Sequence, residues 1–134
     1  MKKCNNCPIC PFVKTGHSVK SAQSNFSVDI DMSVDCQTKN LIYMLDCNKC
    51  PTQYIGETHR TLQDRFSEHL GYVKNKHLNK ATGEHFNSKG HKQSDMKITI
   101  KEKIHSNSHQ YRKQREKMYI TRFNTKYKGM SQKT

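Results

Sequence analysis

Tyr43, Tyr54, Arg65 and His69 follow one another within residues 41–69, and each type has a use in phosphodiester cleavage. That reaction needs a nucleophilic water, an acceptor for its proton, and positive charge on the phosphorus centre and the leaving oxygen. Arg65 is permanently charged and forked, which suits a non-bridging phosphate oxygen. Tyr43 or Tyr54 could orient or deprotonate the water, with Tyr43 the preferred base. A tyrosine titrating near 10 needs roughly 4 kcal/mol from nearby Arg, Lys or metal to do so near 7. Packing in paired strands is the ordinary use of both tyrosines, and His69 could simply border a helix. Glu116 precedes Tyr119, Ile120 and Phe123 at helical spacing, so its carboxylate falls among apolar neighbours. A buried carboxylate needs compensation, which a divalent metal ion or an Arg or Lys side chain could supply.

A second chemistry is written in the cysteines. Cys47 and Cys50 form Cys-x2-Cys, and His85 and His91 form His-x5-His, a Cys2His2 set whose half-sites can converge on one tetrahedral zinc ion. A redox dithiol is the alternative for Cys47 and Cys50, but such pairs sit at helix starts, whereas this one lies between strands. Cys4, Cys7 and Cys10 offer three more thiolates, with Cys36 as the fourth ligand and His17 as the fallback. Three disulfides in a secreted domain would use the same six cysteines.

These residues need positioning by a small number of elements. Leu41, Tyr43 and Leu45 alternate with Ile42 and Met44, which predicts a strand covered on both faces. Residues 53–56 form its hairpin partner, with the Cys47/Cys50 knuckle as the turn. Residues 57–60 lead into a helix capped by Thr61, with Leu62, Phe66, Leu70 and Val73 as its apolar stripe and Arg65 and His69 on one face. Residues 79–90 read as a broken segment, Met96, Ile98 and Ile100 as a third strand, and residues 108–122 as a final helix.

Only 32% of the 134 residues are hydrophobic, so the core is thin, and metal sites would supply stability it lacks. The formal charge of +13, from 24 Lys and Arg against 11 Asp and Glu, is spread along the chain and suits a polyphosphate partner. No apolar run is long enough to span a bilayer, and no signal peptide or lipidation motif is evident, so the expectation is an intracellular protein without a membrane partner.

Leu41-Ile42-Tyr43, Tyr54-Ile55-Gly56, Arg65-x3-His69, Glu116 and Asn124 together resemble the GIY-YIG nuclease family in motif order and spacing, over residues 41–127. Within it the chain most resembles the endonuclease domain of Penelope-like retroelements, through Cys47 and Cys50 between the tyrosine motifs and His85-Phe86-Asn87-Ser88-Lys89-Gly90-His91. Cys10-Pro11-Phe12 and the segment from Cys36 resemble the linker before that domain. The resemblance implies an α+β fold, a small three-stranded antiparallel sheet flanked by helices, preceded by a zinc-binding extension. Residues 1–40 would be that extension, and 41–134 the endonuclease domain with its inserted Cys2His2 site. It implies Tyr43 and Tyr54 near the attacking water, Arg65 on the scissile phosphate, His69 assisting, Glu116 holding one Mg2+ or Mn2+, and Asn124 supporting. It also implies DNA as partner, a nuclear location, and either a reverse transcriptase in the same polyprotein or a free-standing nuclease. Leu41 replaces the motif's glycine, and Gly129-Met130-Ser131 ends in serine where related chains often have asparagine. A non-catalytic zinc module that binds nucleic acid is the alternative from another class.

Overall fold

Residues 41–45 are all buried, which a strand achieves only when both its faces are covered. In a computed structural model that describes residues 1–16, 18–123 and 125, they form the middle of β3 (Lys39–Cys47). After the hairpin β1 (Ser18–Lys20) and β2 (Ser27–Asp29), β3 is the central strand of a three-stranded antiparallel sheet. Its neighbours are β4 (Gln53–Thr61) and β5 (Met96–Lys103), in the order β4-β3-β5. The sheet is flanked by α1 (Leu62–Lys74), α2 (Ala81–His85) and α3 (His109–Phe123). The expected α+β architecture is therefore present. No helix among the described residues is long and apolar enough to cross a membrane.

Two expectations about the elements need correction. The hairpin partner does not end at Gly56: residues 57–60 are strand, not a lead-in to the helix. Glu57 and Thr58 pair with Ile42 and Leu41, so the first half of β3 finds on β4 the backbone partners that burial requires. The broken segment contains the single-turn helix α2. The polar extension packs against the sheet. Met1, Ile9, Val13, Val19 and Val34 join one apolar cluster with the sheet, and Val13 bridges Ile98 on the outer side of β5, covering that edge.

The helix start is as expected. Thr61 Oγ1 accepts from the Asp64 N–H at 3.1 Å, and the Leu62 and Gln63 N–H groups donate to the carbonyls of Thr38 and Cys36. The first turn of α1 is thus tied to the chain entering β3. Alternation along the strands puts Tyr43, Leu45, Tyr54 and Gly56 on one face and Ile42, Met44, Ile55 and Glu57 on the other. The helix α1 lies against the tyrosine face, burying Leu62, Phe66, His69 and Val73, while α3 packs on β4 and β3.

One lysine is out of place in this core. Lys101 is only 3% exposed, its Nζ has no hydrogen-bond partner, and it lies 3.2 Å from the centre of the Phe123 ring. Burial pushes its pKa down to about 7, against the attraction of the Asp46 carboxylate. Lys101→Met should therefore stabilise the fold by roughly 2–3 kcal/mol at pH 6. Because the folded value lies below the unfolded one, the penalty is complete below pH 7 and fades as pH rises toward that of a free lysine. Urea midpoints measured from pH 6 to 10 should rise for the parent more than for the variant; parallel curves would contradict this account.

Candidate functional site

The ring of Tyr43 crosses β4 at Gly56, its partner across the ladder. A Cβ at Gly56 would lie 2.4 Å from both Cζ and the hydroxyl of Tyr43, so only glycine admits the ring there. The passage carries the buried Tyr43 hydroxyl to α1, where it accepts a hydrogen bond from Arg65 Nε at 3.1 Å and lies 2.8 Å from His69 Nε2. The other ring nitrogen of His69 is 3.0 Å from Thr82 Oγ1 on α2. Burial, with the Arg65 charge beside it, pushes the His69 pKa down to about 3. The imidazole is neutral at any physiological pH, a hydrogen-bonding link between α1, α2 and β3 and not a cation.

In front of this buried group opens a cavity of about 450 Å³. Tyr54, Arg65 and His69 line it from the tyrosine face, and Glu116 and Lys113 enter from α3. Tyr43 lies behind that wall, fully buried, its ring centre 6.2 Å from that of Tyr54. Burial raises the pKa of both tyrosines, with Arg65 opposing it at each. Arg65 is held by Glu68, 2.8 Å from its Nη1. Burial works against its charge, but Tyr43, Glu68 and Tyr72 outweigh that and keep it firmly protonated. Glu116, at 15% side-chain exposure, makes one ion pair among the described residues, with Lys113 at 3.6 Å, and feels the Arg65 charge from farther off. Burial raises its pKa despite that lysine. Glu57 on the same wall is in the opposite condition: its burial is outweighed by hydrogen bonds from Arg112 and Lys113, which lower its pKa.

The chain thus gathers Tyr54, Arg65, His69 and Glu116 on one cavity, with Tyr43 directly behind. Asn124 lies outside the described residues. The sequence reading missed Glu57, Tyr72, Lys80 and Lys113 on the wall. Tyr72 was detectable, three residues after His69 and seven after Arg65 on the same helix face, as was Lys113, one turn before Glu116. Nothing local marks Lys80.

Both thiol clusters converge. Cys10 Sγ lies 3.6, 3.4 and 3.8 Å from the sulfurs of Cys4, Cys7 and Cys36. Cys50 Sγ lies 3.5 and 3.6 Å from Nε2 of His85 and His91. Within each set, Cys4–Cys7–Cys10–Cys36 and Cys47–Cys50–His85–His91, all ligand atoms fall within 4.8 Å of one another. A tetrahedral ion with Zn–S bonds near 2.3 Å separates its sulfurs by about 3.8 Å, while a disulfide holds them near 2.05 Å. The spacing suits a metal, and the four N-terminal thiols could hold zinc; all six cysteines are free. The His17 fallback lies outside the described residues, and Cys36 completes the set. Although burial opposes it, neighbouring hydrogen bonds bring the Cys10 and Cys50 thiols down to about 7, while burial pushes their partners Cys7, Cys36 and Cys47 up, so in each set one thiol ionises at the expense of its neighbours. His85 ends the same short helix that carries Thr82, so the second set adjoins the cavity through α2.

A family model of the GIY-YIG catalytic domain matches residues 39–128, more than half of the chain. No curated protein and no solved structure matches it.

Proposed function

We propose that this chain, which belongs to the GIY-YIG catalytic-domain family, is a metal-dependent endonuclease that hydrolyses DNA phosphodiester bonds. The observation that carries the reading is the pairing, across one cavity, of a fixed cation, Arg65, with an under-compensated carboxylate, Glu116, beside the Tyr54 ring. The family suggests a nuclease; metal dependence, substrate and residue roles are our assignment.

Arg65 would bind a non-bridging oxygen of the scissile phosphate, using donors left over from Tyr43 and Glu68. Lys113 and Lys80 add positive charge on the same wall. Tyr54 would orient the attacking water and, once ionised beside the Arg65 charge that opposes its burial, would as phenolate take the water's proton as the new P–O bond forms and the P–O3′ bond breaks. The leaving oxygen would take a proton from solvent water, giving a 3′-hydroxyl and a 5′-phosphate. The base is assigned to Tyr54 in preference to Tyr43 because Tyr54 faces the cavity and Tyr43 is sealed behind it. Mg2+ or Mn2+ bound at Glu116 would neutralise charge on the phosphate and acidify water in the cavity. One carboxylate whose ion pair among the described residues is with the half-exposed Lys113 alone fits such an ion, since Mg2+ completes its shell with waters and substrate oxygens. Zinc is assigned to both thiol clusters as a structural ion.

The retroelement setting belongs to the same proposal. The knuckle cysteines and the His-Phe-Asn-x-x-Gly-His segment support a Penelope-like role, in which the 3′-hydroxyl primes a reverse transcriptase in the nucleus.

Supercoiled plasmid incubated with zinc-loaded protein should become nicked or linear with Mg2+ or Mn2+ and stay intact without them. Glu116→Ala should cut at least a hundredfold more slowly while keeping salt-sensitive DNA binding. Binding without cutting would leave the non-catalytic zinc module as the answer, and equal cutting by the variant would remove Glu116 from the reaction.

A further inference from the structure

The loop joining α1 to α2 carries a feature that phosphate chemistry alone leaves unused. Residues 74–80 read Lys-Asn-Lys-His-Leu-Asn-Lys, with three lysines and no acid. The ring of His77 stacks on that of Tyr72 with centres 5.8 Å apart and planes 28° from parallel. The Lys80 amine lies 5.5 Å from the same tyrosine ring. Tyr72 and Lys80 are wall residues of the cavity that holds Arg65 and Glu116. His77 is exposed, and Leu78 beside it is 57% exposed, one of three exposed large hydrophobic side chains among the described residues.

This loop is built to hold its shape. The His77 N–H donates to the Tyr72 carbonyl and the Lys80 N–H to the His77 carbonyl. Gly83 lets the loop settle onto α2: a Cβ there would lie 2.1 Å from the His77 carbonyl oxygen. Asn87 Nδ2 ties the two helices by donating to the carbonyls of Val73 at 3.0 Å and Gly83 at 2.7 Å. Lys76 takes a left-handed backbone, φ 54°, to make the turn. A lone exposed leucine is ordinary. A His77 ring stacked on Tyr72, an exposed leucine and three lysines without an ion pair among the described residues, carried by the end of α1 and the braced loop after it and reaching the cavity through Tyr72 and Lys80, together match what an unpaired nucleotide offers: a flat base, an apolar edge and a phosphate on either side. A protein partner would call for a wider apolar patch than one leucine.

We propose that His77, stacked on Tyr72, is a platform for an unpaired base next to the scissile phosphate, with Leu78 as a wedge against the neighbouring base pair. This rests on the nuclease reading and deepens it. The preferred substrate is DNA with unpaired nucleotides beside the cut, and selection is by structure and not by sequence, because every base has a face to stack.

The test compares zinc-loaded full chain on a labelled duplex and on the same duplex with a short unpaired bubble, without Mg2+ or Mn2+ so that nothing is cut. The bubble carries 2-aminopurine, whose fluorescence falls on stacking. The parent should bind the bubble about tenfold more tightly than the duplex and quench the probe. His77→Ala and Leu78→Ser, both at exposed positions, should bring the two affinities together, and His77→Ala should abolish the quenching. Tyr111→Ser, which removes an exposed ring on α3, should keep the preference. Equal binding of both DNAs by the parent, a preference retained by the loop variants, or an equal loss in Tyr111→Ser would overturn the platform. Plasmid cutting without a bubble preference would remove the platform and leave the nuclease; a loop-dependent preference without cutting would do the reverse.

Discussion

Removing metal from this protein should unfold it. Metal analysis of protein purified with zinc should find two ions per chain, and a chelator at neutral pH should abolish the near-ultraviolet dichroism and the cooperative melt. The scale follows from two magnitudes. A structural zinc contributes on the order of 10 kcal/mol of apparent binding energy, and a small domain has a net stability of about 5–15 kcal/mol. The geometry says what each ion would hold. Cys4, Cys7 and Cys10 reach Cys36, whose carbonyl receives the Gln63 N–H at the start of α1, so the first site fastens the extension to the helix that bears Arg65. Cys47 and Cys50 reach His85 and His91, fastening the β3–β4 turn to the helix that bears Thr82 and braces His69. His91→Ala should cost one zinc per chain and release the second set while the first still binds. A melt indifferent to chelation, or fewer than about one zinc per chain after zinc loading, would sink the structural role.

Arg65→Ala should lower the rate of DNA cutting by about a thousandfold, or roughly 4 kcal/mol, the scale for losing one preorganised donor to a developing charge. Arg65→Lys should recover no more than about a tenth of the parent rate. Arg65 gives Nε to the Tyr43 hydroxyl and Nη1 to Glu68, which leaves Nη2 to offer a phosphate. An ammonium group cannot meet all three in a fixed plane. Fold loss is a modest risk, since Tyr43 keeps His69 as a partner and Glu68 keeps Arg60. Single-turnover cutting at saturating protein, with melting temperatures alongside, separates a lost rate from lost binding or lost fold. Parent-like cutting by Arg65→Lys would mean that charge alone matters and that the planar fork is incidental.

Much of the site was legible because local spacing carries it. Tyr43 and Tyr54 lie in strand-forming runs and Arg65 and His69 one helical turn apart, so their grouping needed only a hairpin and the helix after it. The cysteine pairs are short-range signals of the same kind. The extent of β4 was hidden because residues 57–60 are polar and read as a lead-in; they are strand because β3 needs their backbone. The packing of residues 1–34 was hidden too, since Met1, Ile9 and Val13 are isolated apolar residues in a polar stretch, and their burial against the sheet is a long-range event.

The sequence by itself determined the pieces whose partners lie close along the chain: the tyrosine strands, the Thr61-capped helix, the short Cys and His pairs and the positive charge. Only the tertiary structure decided which pieces face each other. It turned Tyr54 to the cavity and sealed Tyr43 behind it. It left Glu116 short of compensation while engaging Glu57 with Arg112 and Lys113, and it set the His77 loop at the same opening. The reason is physical. Periodicity says which side of a strand or helix a residue occupies, but burial, desolvation and the sharing of charges among Arg65, Lys113 and the two glutamates depend on elements that meet only when the sheet closes between α1 and α3.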